Sequence, residues 1–301
     1  RHIERGAPKD LFIYYNVDDV INTGEHKCGV GQVSQKTPEI PHVPMKSTTM
    51  CKIIDYAIAN THDMIAAFGT TTGVMNFNMG VLNDVQTNYR SEFDSNIEYD
   101  IVTTYIASSP TANPYEPPTS TTNGSTLLTR FRNWAWGPGN AGGGNTGGAT
   151  GGFGVDYNMA GLWTDADFSG GVVGIAYRPG WHHILENFTS SAANLRAMVS
   201  HEIGHNWNAV NNSTGHDPAG SNFIMAPSVT LTDNWSPLSK ANINARIASQ
   251  GWLVDCSTAG PPNANFFQSS IATCLNGTID FEDQSQYGAT RSWNFPSGTP
   301  S

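Results

Sequence analysis

Charge is scarce in this 301-residue chain. Lys and Arg number 15 against 25 Asp and Glu, a net charge of −10, and charged residues make up 13% of the whole, where a soluble domain averages about 25%. So sparse and acidic a balance excludes nucleic acid and anionic membrane as natural partners. Long apolar runs are missing as well. None approaches the roughly 18 residues needed to cross a bilayer, so no membrane span is expected. The chain opens on Arg1-His2-Ile3-Glu4, without an initiator Met or a signal-peptide hydrophobic stretch, as expected of a processed or trimmed chain. Cysteine stops at four; with little charge and much Asn, Thr and Ser, that fits an exported protein, where disulfides survive. Glycine (31) and proline (17) stay below the roughly 25–30% that marks low-complexity disorder, and 38% of residues are hydrophobic. A real core is expected, in one large domain or two modest ones.

Residues 10–21 read as a strand entering a turn at Asn22-Thr23-Gly24. The stretch 31–48, punctuated by Pro38, Pro41 and Pro44, cannot build a regular element and reads as a linker or accessible cleavage segment. Cys51 to Ala59 is apolar and β-compatible. Residues 62–68 and 74–91 have helical character, with Val74, Phe77, Val81, Leu82 and Val85 spaced for one buried face. Ile97 to Ile106 reads as a strand, 126–136 as a helix, and 108–126 and 137–154 as loops. Gly171 to Tyr177 is a strand with two glycines, where another backbone can approach closely. Ser190 or Ser191 can cap a helix running to about Trp207.

That last helix carries His201-Glu202-Ile203-Gly204-His205. Residues four apart lie one turn up on the same face, so both imidazoles can address one metal ion. Glu202 sits about 100° round the helix, able to hold a metal-bound water without being a ligand. Zinc needs a third protein ligand and leaves the fourth position open for water. No glutamate occurs between Glu202 and Glu282, and His216 is the one histidine after His205. Asp217 and Asp233 are the carboxylate alternatives.

The stretch from His201 to Asp217, followed by Phe223-Ile224-Met225-Ala226-Pro227, resembles the metzincin zinc endopeptidases, in particular the reprolysin-like or adamalysin-like branch, whose pattern is HExxHxxGxxH(D) and then a Met-turn. Two features depart from it. Asn208 stands at the turn glycine, and the third His arrives five residues late, with Asn211 at the usual spacing. Asn tolerates φ > 0 better than any residue but Gly, so Asn208 can still reverse the chain. The extra residues, all turn formers, can bulge outward while His216 returns to the metal; Asn211, with a harder, uncharged amide oxygen, is a poor competitor for zinc. The resemblance implies an α/β (α+β) fold with a twisted mixed five-stranded sheet and long backing and active-site helices. It further implies Met225 beneath the imidazoles, and Gly161 to Tyr177 as the upper-rim strand that takes peptide by antiparallel β-addition. Gly174, Ile175 and Ala176, with Pro227 and Ser228, are the expected substrate-binding residues.

Upstream, His26-Lys27-Cys28-Gly29-Val30 is similar to the Cys-Gly-Val switch of metzincin propeptides, in which the thiolate occupies zinc's fourth site. Disulfide pairing of Cys28 is the competing expectation. If Cys28 is the switch, Cys51 and Cys256 can staple the catalytic domain's termini, and Cys274 lacks a partner in this chain. Residues after the break at Ala259-Gly260-Pro261-Pro262 resemble the opening strands of a PKD-type β-sandwich. The expected organisation is a propeptide tail at 1–46, a zinc metallopeptidase domain at 47–258 and an incomplete PKD-like β-sandwich fragment at 259–301. The function so implied is that of a secreted zinc endopeptidase, catalytic through Glu202, with His201, His205 and His216 on the metal and Cys28 added in a latent form. Its expected partners are a protein or peptide substrate and its own propeptide, with no nucleic acid and no membrane span, and the chain is expected to be a monomer. Calcium is a second cofactor expectation, assigned to no residue. The rival expectation is a non-catalytic extracellular adhesion or matrix-binding protein on a degenerate protease domain.

Overall fold

The computed structural model describes residues 27–28, 51–93, 97–115, 123–137, 151–256, 266–268 and 281–283. The strand expected at 10–21 and the linker at 31–48 lie outside the described residues. The chain divides into two compact units, 1–253 and 254–301.

In chain order the first unit contains β1 (Lys27–Cys28), β2 (Lys52–Asn60), α1 (Asp63–Phe68), α2 (Thr71–Glu92), β3 (Ile97–Ile106), α3 (Gly124–Trp136), β4 (Met159–Thr164), β5 (Val172–Ala176), β6 (His182–Glu186), α4 (Ala192–Asn206) and α5 (Pro237–Ser249). The strands form one mixed sheet in the order β1-β5-β6-β4-β2-β3. β2 runs parallel to β3 and β4, and β4 runs parallel to β6. β5 is antiparallel to β6, while the two residues of β1 add parallel to its other side. The expected mixed α/β fold and sheet are present, with β1 as a sixth strand.

Alternation along the strands sorts side chains into two cores. Ile54, Tyr56 and Ile58 of β2 join residues of α2 and α4 on one face. Ala57 and Ala59 face the other way, against Leu127, Leu128 and Phe131 of α3. α2 buries the expected Val74, Val81, Leu82 and Val85 and half-buries Phe77. It starts where Thr70 accepts a hydrogen bond from Gly73 N, so an orphan donor of the first turn is satisfied.

Gly161 to Tyr177 is not one rim strand. Residues 161–164 belong to β4, an interior strand between β2 and β6, and only β5 lies beside β1. The reason is the polar stretch from Asp165 to Ser169 and the turn at Gly170, φ 79°, and Gly171, φ 72°, which part the two apolar runs. Strand β6 and helix α5 have no counterpart among the sequence expectations. Among the described residues no helix is long and apolar enough to cross a membrane. Cys51 and Cys256 are each disulfide-bonded and Cys28 is not, which removes the disulfide reading of Cys28.

In the second unit the described elements are β7 (Val254–Asp255) and an antiparallel pair, β8 (Phe266–Gln268) with β9 (Phe281–Asp283). Most of the segment resembling a PKD-type module lies outside the described residues.

Candidate metal centre

Helix α4 begins at Ser191, whose hydroxyl accepts from Asn194 N, and it buries nearly every residue from Asn194 to Asn206. It ends as its sequence demands. Asn208 takes φ 60° and is the one non-glycine with positive φ among the described residues. Ala209 N donates to Gly204 O and Asn208 N to His205 O, both at 2.9 Å; this Schellman pairing satisfies the last carbonyls and reverses the chain.

On this helix His201 and His205 present their Nε2 atoms to each other at 2.9 Å. Two nitrogens bound tetrahedrally at 2.0–2.1 Å to one zinc ion would stand about 3.3 Å apart, so the pair needs little adjustment to share a metal. The ring of His216 completes a triangle, its centroid 5.3 Å from that of His201 and 4.9 Å from that of His205. Cys28 Sγ lies 3.2 Å from His205 Nε2. One ligand atom from each of Cys28, His201, His205 and His216 falls within 4.8 Å of all the others.

The surroundings prepare these rings to be ligands. His201 Nδ1 donates to Ile224 O at 2.6 Å, fixing the tautomer that leaves Nε2 with its lone pair inward. Burial, then the neighbouring His216, lowers the His201 pKa to about 3; burial, then His201, His216 and Arg178, holds His205 well below its ordinary value; burial lowers His216 too. Neutral imidazole is the form a metal binds. His216 Nε2 is buried and finds no hydrogen-bond partner among the described residues, an expensive arrangement unless something else meets the nitrogen. Three imidazoles and a thiol are a donor set that suits zinc.

Glu202 is fully buried, and Cβ on the residue opposite, Gly174 of β5, would come within 2.6 Å of its Oε1. Glycine at 174 therefore lets the carboxylate lie against bare backbone. Burial raises the Glu202 pKa to about 8, opposed in part by its hydrogen bond to Cys28. Met225 lies under the helix, also fully buried. A Cβ at Gly204 would stand 2.5 Å from Met225 Sδ, so glycine at 204 is what allows the close approach.

Cys28 reaches the cluster as part of β1. It is in register with Gly174 of β5, and its N–H donates to Pro227 O at 3.4 Å. Gly174, Ile175 and Ala176 are in β5, and Pro227 and Ser228 are half-buried. Asn211 is exposed, as are Asn212, Ser213 and Thr214, so these residues bulge outward, while Gly215 is buried and His216, half-buried, joins the cluster. Asp217 is adjacent but outside the cluster. Its N–H donates to Met225 O at 2.9 Å, and burial raises its carboxyl pKa, opposed by Ser236 and Ser239 at the start of α5.

Sequence reasoning misses two residues here. Asn206 Nδ2 donates to Tyr177 O and His182 O, while its Oδ1 accepts from His183 Nδ1 at 2.7 Å. Arg178 holds carbonyls of the bulge. Neither has a spacing signal, because their partners are distant in the chain. His182 and His183 pack structurally, His182 against Tyr157 OH and His183 against Tyr56 OH. Elsewhere, a groove of about 670 Å³ lined by Phe68, Phe77, Val81 and Leu195 shares no residue with the cluster.

No curated protein sequence gives a significant match to the chain. A reprolysin-type family model, described as metallo-peptidase family M12, matches residues 51–239, well over half of the 301 and inclusive of the helix, the bulge and Met225. The chain belongs to metallo-peptidase family M12, and the matched region is a reprolysin-like, zinc-dependent peptidase domain.

Proposed function

We propose that the protein is a secreted zinc endopeptidase in which His201, His205 and His216 hold the metal, Glu202 moves the proton and Cys28 keeps the enzyme latent. The observation that carries this reading is the convergence of one ligand atom from each of three histidines and Cys28 within 4.8 Å. A zinc ion held there would supply Lewis acidity, lowering the pKa of a water toward about 7 and polarising the scissile carbonyl.

The residues of the chain do the rest. A peptide laid along β5 by main-chain hydrogen bonds, between Gly174–Ala176 and Pro227–Ser228, brings its carbonyl over Glu202. The Glu202 carboxylate accepts a proton from the attacking water as the new C–O bond forms, then delivers that proton to the departing amine as the C–N bond breaks. Buried against the bare backbone of Gly174, the carboxylate is shielded from bulk water, and a carboxylate so positioned serves both halves of that task. Met225, under Gly204, supports the floor of the site.

Latency is supported by where Cys28 sits. Its segment fills the β5 edge and runs parallel to it, the reverse of the antiparallel course expected of substrate, and its sulfur stands among the imidazoles. Residues 1–46 are then a propeptide tail, 47–258 the catalytic domain and 259–301 part of a PKD-like module. The disulfide-bonded Cys51 and Cys256 fit an oxidising, extracellular setting.

The test is peptide hydrolysis by the full chain before and after limited proteolysis within 31–48, alongside Glu202→Ala. Cleavage should release activity in the parent protein. Glu202→Ala should keep its zinc and fall by about 10²–10⁴ in rate. Undiminished turnover by Glu202→Ala would refute the mechanism, and full activity before cleavage would refute latency.

A further inference from the structure

His201 and His205 are placed by one helix, but His216 comes at the end of an exposed stretch with no regular structure. Something must hold that stretch, because a flexible ligand loop loses entropy on every binding event. The Arg178 guanidinium lies against it. Nη1 donates to Asn212 O at 2.8 Å and to Val210 O at 3.4 Å, and Nη2 donates to Ser213 O at 3.3 Å. Gly215 has φ 77°, and a Cβ there would stand 2.3 Å from Nη1, so the guanidinium rests on bare backbone one residue before His216. Inside the bulge, Asn212 Oδ1 accepts from Thr214 N and Gly215 N, and Asn212 Nδ2 donates to His216 O at 2.9 Å.

Arg178 itself stands on the turn between β5 and β6, and that turn is fastened to the end of α4. Asn206 Nδ2 donates to Tyr177 O and His182 O, and Gly180 N donates to Asn206 O. A continuous path of hydrogen bonds therefore runs from the residue after His205, through the turn, to the carbonyls just before His216. We propose that Arg178 is the positioning residue that sets His216 against the two helix-borne imidazoles. This rests on the reading of His216 as the third metal ligand. Three carbonyls at different directions call for a planar fork of donors, which lysine's single ammonium does not offer.

The experiment measures zinc affinity by chelator competition, and the absorption spectrum after cobalt substitution, in the full chain and in Arg178→Ala, Arg178→Lys, His216→Ala and Arg178→Ala/His216→Ala. Arg178→Ala should weaken zinc by about 10–100-fold, the range for residues that orient a ligand, and should shift the cobalt spectrum. Arg178→Lys should fall between. In the His216→Ala background, Arg178→Ala should change zinc affinity no further, which a general loss of stability would not mimic. Wild-type affinity and spectrum in Arg178→Ala, or in Arg178→Lys if the alanine variant does not fold, would overturn the proposal. So would equal weakening by Arg178→Ala with and without His216. Wild-type zinc affinity in His216→Ala would overturn the underlying reading of the site instead.

Discussion

The two halves of the metal cluster are built by different means. His201 and His205 owe their convergence to helical repeat alone: four residues make one turn, the face is the same, and the buried helix around them allows no alternative. His216 has no such guarantee. Its position rests on a left-handed Asn208, an Asx-type knot around Asn212, and a guanidinium from a distant turn. A helix delivers ligands through local geometry, whereas an irregular loop needs side chains from elsewhere to reach the same precision.

The harshest way to break the comparison is to remove a ligand from each half. His205→Ala and His216→Ala should both lose zinc in a metal analysis of dialysed protein, while Asn211→Ala, at the spacing of shorter loops, should retain it. Retention by His216→Ala with loss by Asn211→Ala would reverse the reading of the bulge.

Acid provides a second stress, because the turn that braces the loop is anchored on buried histidines. Burial, then the charges of His183 and Arg132, lowers the His182 pKa to about 3; burial brings His183 to about 4, against a small opposing effect of its bond to Asn206. Unfolded imidazoles take up protons below about 6.5 and these folded ones do not, so the stability they contribute is present above pH 6.5 and declines as pH falls toward 4. At pH 5 the expected loss is about 2 kcal/mol per ring. It is offset in the overall stability by Glu202 and Glu186, which burial raises to about 8 and about 7 and which take up protons in the folded state over the same range, so NMR titration of the two imidazoles is the measurement that reads it. Protonation of either folded ring above pH 6 would contradict it.

On the helix side, Gly204→Ala should cost about 1–3 kcal/mol, since its methyl meets Met225 Sδ and Trp235. Gly80→Ala in α2, where a Cβ meets nothing within 4 Å, should stabilise by about 1 kcal/mol. At the junction of the two halves, Asn208→Ala should cost about 1 kcal/mol through its φ of 60°. Asn208→Gly should fall within a few tenths of the parent. Thermal melts of the four variants rank these effects.

What the sequence reveals follows the same division. The helix pair is legible because i and i+4 carry chemistry in a fixed geometry, and Asn208 because few residue types accept a left-handed turn. The outward bulge is legible from its run of turn formers. β6 is obscured by His182-His183, which look polar but are buried by partners far away in sequence, Tyr157, Tyr56 and Asn206. β4 and β5 fall within one stretch of the family resemblance, although Asp165, Asp167, Ser169 and two positive-φ glycines part them. α5 carries a signature in Ser236 before Pro237 that apolar spacing alone passes over. Arg178 leaves no trace at all, since a donor to main-chain carbonyls imposes no pattern on the residues it holds.

Zinc-edge X-ray absorption on the full, uncleaved chain tests the account most directly. Three nitrogen scatterers at about 2.0–2.1 Å and one sulfur at about 2.3 Å are expected, with the sulfur shell alone lost in Cys28→Ser and one nitrogen lost in His216→Ala. A metal shell without sulfur in the parent chain, or one unchanged by the loss of His216, would contradict it.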